Sequence, residues 1–155
     1  MPCKTVLFVC YGNICRSPMA QGFLNTLLEK VDKPVEVRIL SAGLNAFGGP
    51  PTSEAIETMI EEGIDISGFR SRQLTEELIE EADLILTMTK HYKDDILSRH
   101  PEAKHKVFTL KEFAGETENL DIEDPYGKGI EAYKTCAKEI RQSLAKAFKK
   151  IVESV

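Results

Sequence analysis

The residues with the clearest chemical content lie in CYGNICRSP, positions 10 to 18, where a thiol, a glycine, an amide, an arginine and a hydroxyl follow one another closely. A loop of this kind leading into a helix turns successive backbone N–H groups and the positive helix end towards one point, which makes an anion site. Gly12 would allow a positive φ and a close backbone approach there. Arg16 adds a planar guanidinium that can hold two oxygens of a tetrahedral oxyanion at once. The same field favours the thiolate of Cys10, the nucleophilic form of the side chain. Ser17 can donate its hydroxyl to that sulfur. Together these parts describe attack by sulfur on a bound phosphoryl group. The Gly-Lys-Ser/Thr ending of the nucleotide-binding loop is missing.

Such a thiol must be delivered by a rigid element. TVLFVC, 5 to 10, is a continuous apolar run, the pattern of a strand buried on both faces of a parallel sheet. Pro18 suits the first turn of a helix, along which Met19, Phe23, Leu24, Leu27 and Leu28 recur at helical spacing. VEVRILSAG, 35 to 43, reads as a second strand. Thr52 or Ser53 caps a helix stopped by Gly63. ADLILTMT, 82 to 89, is a third strand, with Thr89 capping a helix to about Ser98. KVFTL, 106 to 110, is a short fourth strand, and 111 to 129 reads as one long irregular stretch. From Ile130 onward, Tyr133, Ala137, Ile140, Leu144, Phe148 and Ile151 fall at steps of three and four, predicting a long amphipathic final helix.

Strands alternating with helices predict an α/β fold: a single three-layer domain over residues 1–155, with a four-stranded parallel sheet and helices on both faces. In such sheets ligands sit beyond the carboxyl ends of strands, where the strand order reverses. Cys10 ends the first strand.

The 155 residues are enough for one core without disulfide or metal staples. A net charge of −5, with no basic stripe carrying interleaved aromatics, gives no electrostatic support for nucleic-acid binding. No apolar run approaches the ~20 residues that cross a bilayer. The start, MPCKTVLFVC, has no charged leader before a long apolar core, so a cytoplasmic, reducing setting is expected. Of the four cysteines, Cys3 and Cys136 read as structural thiols. No Cys-x-x-Cys occurs, and His91, His100 and His105 lack metal-ligand spacing.

CYGNICRSP on a first strand-to-helix turn resembles the phosphate loop of the low-molecular-weight protein tyrosine phosphatases. The likeness spans essentially the whole chain, including SAG at 41 to 43, LTEELIEEADLILTMT and the late DPYG. The resemblance implies a role for each matching residue. Cys10 forms a cysteinyl-phosphate, Arg16 binds phosphate and stabilises the transition state, and Asp124 acts first as general acid and then as base. Tyr11, Gly12, Asn13, Ile14, Cys15 and Ser17 complete the phosphate-binding loop, braced by Asn13 and Ser41. Tyr11, Ile14, Phe47 and Tyr126 border the substrate cleft. The resemblance also implies a protective Cys10–Cys15 disulfide on oxidation. Asp121 is the nearby competitor for the acid. No metal or other cofactor is required by this chemistry. A phosphorylated protein is the expected substrate, a phosphate-like oxyanion the expected ligand of the loop, and a monomer the expected state.

Two positions depart from the family's mammalian members. Phe69 stands where they carry a histidine supporting the brace, so the brace is expected to be built differently. Tyr126 is followed by Gly127 rather than a second tyrosine, which predicts a less aromatic cleft on that side. Phosphotyrosine is the leading substrate expectation and phosphoarginine the alternative, because the bacterial branch that includes protein-arginine phosphatases shares several landmarks. Those enzymes carry threonine where this chain has Ile14, and an apolar residue there favours a flat aryl ring over a guanidinium. Arsenate reduction, a remote alternative, needs cysteines in mid-chain, where none lies between Cys15 and Cys136. A non-catalytic phosphate-binding module has no use for nucleophile and acid together.

Overall fold

The computed structural model describes residues 4–31 and 36–153. Four parallel strands, β1 (Lys4–Cys10), β2 (Val37–Gly43), β3 (Leu84–Thr87) and β4 (Val107–Thr109), lie in the order β2-β1-β3-β4. The order reverses on either side of β1. Its carboxyl end, where Cys10 pairs in register with Gly43, is therefore the switch point.

The continuous apolar run of β1 is explained by burial on both faces. Val6 and Phe8 join the core beneath α1 (Arg16–Glu29), α2 (Ser53–Glu61) and the long α6 (Ile130–Glu153). Leu7 and Val9 point the other way, into a second core with Leu78 and Ile79 of α3 (Glu76–Glu81) and Ile96 of α4 (Lys90–Arg99). All four of these β1 side chains are fully buried, each contributing roughly 1.5–3 kcal/mol of transfer free energy. This two-sided anchoring holds the end of β1 rigid.

Helix starts follow the expected chemistry. Thr52, rather than Ser53, caps α2 by accepting from the Ala55 N–H, and Thr89 caps α4 by accepting from the Tyr92 N–H. Residue 35 and Cys3 lie outside the described residues; the second strand is observed from Val37.

Four segments differ from the sequence expectation. The fourth strand pairs only over Val107–Thr109, because Thr109 and Glu112 form a capping box that starts the short α5 (Leu110–Phe113). The stretch from 111 to 129 is accordingly not wholly irregular. Thr75 caps α3 inside the acidic block, and Pro101–Lys106 forms a 3-10 turn after α4. No helix among the described residues is long and apolar enough to cross a membrane.

Candidate active site

Residues 11 to 15 bend tightly between β1 and α1 around the Cys10 sulfur. The Asn13 N–H donates to Cys10 Sγ at 3.2 Å, and Ser17 Oγ lies 2.9 Å from the same sulfur. Ser17 Oγ already accepts from Asn13 Nδ2 at 2.7 Å, so its own proton is free to donate to sulfur. The Asn13 N–H and the Ser17 hydroxyl thus both meet the one sulfur.

The positive-φ position of the loop is Asn13, with φ 57°, not Gly12. Asparagine tolerates this conformation because its short amide bonds locally, and here that amide is the brace. Asn13 Nδ2 donates to Ser41 Oγ at 3.0 Å, and Asn13 Oδ1 accepts from the Arg72 N–H at 2.9 Å. The Ser41 hydroxyl donates to Gln21 Oε1 at 2.8 Å. Gln21 is thus the supporting partner in this chain, while Phe69 lines a neighbouring cavity with it. The loop backbone instead makes its close approach at Gly43. A Cβ there would sit 2.7 Å from the Tyr11 carbonyl oxygen and 2.9 Å from the Asn13 nitrogen. Gly43→Ala should therefore push the loop off β2 and lower kcat/KM by about tenfold or more, with a lower melting midpoint; unchanged steady-state kinetics would refute this account of SAG.

Arg16 is 2% exposed at the first position of α1. Its Nη1 donates to the Ile122 carbonyl and its Nη2 to the Tyr92 hydroxyl, each at 2.8 Å. Asp124 Oδ2 lies 3.6 Å from Nη2. Burial works against this guanidinium's charge, but Cys10, Tyr92 and Asp124 together outweigh it and hold its proton more tightly than usual. Among the described residues the buried Nε–H has no hydrogen-bond partner. A buried unpaired donor costs ~1–3 kcal/mol, so this cationic edge is chemically suited to an oxyanion.

The acid loop is set by contacts distant in sequence. The Ile122 N–H donates to the Met88 carbonyl, just past β3. Asp121 Oδ1 accepts from the Lys90 N–H at the start of α4, which separates its role from that of Asp124. Asp124, 46% exposed, borders the cleft with Cys10 and Arg16, whereas Asp121 does not. Its Oδ1 accepts from the Tyr126 N–H, fixing the turn.

The cleft has a volume of about 570 Å³. Tyr11, Gly12, Ile14, Cys15, Phe47 and Tyr126 border it together with the three polar residues, while Asn13, Ser17 and Ser41 are buried behind. Phe47 is 88% exposed and Tyr126 62%, so both present open aromatic faces at the rim. Cys15 Sγ turns inward to Tyr133 Oη at 3.2 Å and Thr52 Oγ1 at 3.8 Å. Burial pushes its thiol up to about 11, against the pull of those two hydroxyls. Cys136 is likewise buried and pushed up, and borders none of this cleft. Sequence reasoning missed Gln21, Tyr92, Gly43 as a steric contact and the inward partners of Cys15. Glycine in SAG was the one local signal available.

A strand that ends in a thiol at the switch point of a parallel α/β sheet, opposite an arginine and a carboxylate, defines a cysteine-dependent phosphatase as the class. A family model described as low molecular weight phosphotyrosine protein phosphatase matches residues 5–155. The chain is 44% identical over 142 residues to the probable low molecular weight protein-tyrosine-phosphatase EpsP of Ralstonia nicotianae, covering 91% of each. It is 41% identical over 149 residues to the protein-arginine-phosphatase of Bacillus subtilis, covering 94% of this chain and 97% of that one. Among solved structures, the low molecular weight protein tyrosine phosphatase from T. tengcongensis matches with a TM-score of 0.87 at 44% identity, covering 95% of this chain and 99% of that chain. The chain belongs to the low molecular weight phosphotyrosine protein phosphatase family.

Proposed function

We propose that this protein hydrolyses phosphotyrosine in protein substrates through a cysteinyl-phosphate. Cys10 Sγ attacks phosphorus, the P–O bond to the aryl group breaks, and Asp124 gives its proton to the departing oxygen. The Asp124 carboxylate then takes a proton from water as that water attacks phosphorus. The S–P bond breaks, phosphate leaves, and Cys10 is restored as thiolate, stabilised by the Ser17 hydroxyl. Arg16 and the loop N–H groups hold the phosphoryl oxygens throughout.

The observation that carries the substrate choice is the apolar wall beside the nucleophile. Ile14, Phe47, Pro50 and Tyr126 suit a flat aryl ring, while Asp124, itself beside Arg16, is the one carboxylate bordering the cleft among the described residues. A phosphoarginine guanidinium needs polar partners when buried, and this wall offers few. The Bacillus relative supports phosphoarginine as a second reading. Peptides of one sequence carrying either phosphotyrosine or phosphoarginine should differ in kcat/KM by about tenfold or more in favour of phosphotyrosine. A preference for phosphoarginine would overturn the tyrosine reading.

The same reading places the enzyme in a reducing, cytoplasmic setting, where Cys10, Cys15 and Cys136 stay free thiols. It takes residues 1–155 as one phosphatase domain acting as a monomer, since every group it uses comes from one chain: Cys10, Arg16 and Asp124 border the cleft and Ser17 lies buried behind the sulfur. It also includes the redox pairing. Peroxide converts the Cys10 thiolate to a sulfenic acid, the Cys15 thiol condenses with it to a disulfide and releases water, and added thiol reverses the bond. Cys15 must leave Tyr133 and Thr52 to do so. Non-reducing peptide mapping after peroxide treatment should find Cys10 joined to Cys15; Cys10 sulfinic acid beside a free Cys15 thiol would count against it.

A further inference from the structure

A guanidinium carries five N–H bonds in one rigid plane. In Arg16 one hydrogen of Nη1 goes to the Ile122 carbonyl and one of Nη2 to the Tyr92 hydroxyl. The Nε–H and one hydrogen on each terminal nitrogen are left for an oxyanion. Where those hydrogens point depends on what fixes the plane. The Ile122 carbonyl holds one corner only and leaves rotation about that contact. The second corner, Nη2, donates to the Tyr92 hydroxyl at 2.8 Å with Asp124 Oδ2 farther off at 3.6 Å, and the Tyr92 ring centroid lies 5.3 Å from the guanidinium carbon, within cation–π range.

Tyr92 is itself well placed to act as a fixed post. It lies in the first turn of α4, where its N–H is taken by the capping Thr89, and the preceding Lys90 N–H is taken by Asp121. Asp121 belongs to the same segment as Ile122, so both corners of the guanidinium are tied to one cross-linked unit. Arginine otherwise loses substantial rotamer freedom on engaging a ligand; ordering it beforehand lowers that cost.

We infer that Tyr92 is a positioning residue for oxyanion binding: its hydroxyl and ring set the plane of the Arg16 guanidinium before substrate arrives. This rests on the reading of Arg16 as the oxyanion ligand. The test uses the full chain, an aryl phosphate substrate and orthovanadate as the oxyanion probe. Tyr92→Phe keeps the ring and removes the acceptor. It should lower kcat/KM about tenfold and weaken vanadate inhibition by a similar factor. Both constants are read well below the melting midpoint, so lost stability and lost positioning are separated. In an Arg16→Lys background, the same Tyr92→Phe change should alter either constant less than about twofold, because the bond it removes is already gone. An unaltered Tyr92→Phe enzyme, or an equal loss in both backgrounds, would overturn the inference. Full activity in Arg16→Lys alone would instead overturn the role of Arg16 and leave a different signature.

Discussion

Cys10→Ser is expected to lower kcat by at least ~10⁴-fold while leaving affinity for inorganic phosphate within about threefold of the parent protein. The two outcomes separate because they depend on different groups. In the proposed mechanism phosphorus is attacked only by the sulfur, which lies 3.2 Å from the Asn13 nitrogen and 2.9 Å from Ser17 Oγ. A serine hydroxyl in that position is not ionised and is a far weaker nucleophile than a thiolate. Oxyanion affinity, by contrast, is assigned in this mechanism to Arg16 and the loop N–H groups, which the substitution leaves in place. Removing the thiolate also removes a negative charge beside a dianion. Phosphate binding is read by calorimetry and turnover by phosphate release. Turnover within tenfold of the parent would sink the cysteinyl mechanism, and parallel loss of both would make the residue structural.

Asp124→Asn should cost ~10²–10⁴-fold in kcat on phosphotyrosine, where the departing phenoxide needs a proton. The carboxylate lies beside the guanidinium at 3.6 Å, fixed by the Tyr126 N–H, and half open to solvent. Asparagine keeps the turn and the steric outline but carries no transferable proton. On an aryl phosphate with a strongly acidic leaving phenol, the first step needs little acid help. The loss should shrink there, and a burst of phenol of about one equivalent per enzyme should appear as the phosphoenzyme accumulates. Equal losses on both leaving groups would argue that Asp124 acts by holding Arg16. Asp121→Asn is the control: Asp121 accepts from the Lys90 N–H at the start of α4 and should affect stability more than the leaving-group dependence.

The contrast between these two aspartates shows where sequence reading stops. Both stand in DIEDPYG, three residues apart, and nothing local separates an acid from an acceptor for a helix's first N–H. Their difference lies in which residue faces α4 and which faces Arg16. The phosphate loop was far more legible because its main parts are contiguous. Cys10 and Ser17 are seven residues apart and meet directly, so the order strand, bend and helix already implies their contact. Asn13 shows the boundary between these cases. Its place in the loop was readable, but its left-handed backbone was assigned to Gly12, because the compensating bonds reach Ser41 and Arg72 far along the chain.

By itself the sequence determined the α/β alternation, the strand that ends at Cys10, the anion-binding turn and the long final helix. Hydrophobic period and near-neighbour chemistry suffice for these, since each depends on residues within a few turns of one another. Only the tertiary structure decided that Gly43 yields space to the loop, that Gln21 completes the brace, that Cys15 faces Tyr133, and that Tyr92 and Ile122 grip Arg16. Those contacts span from 20 to 118 positions of chain, with Arg16 and Ile122 alone 106 apart. They exist because parallel crossovers return distant segments to the same end of the sheet, and no local pattern records which side chains then meet.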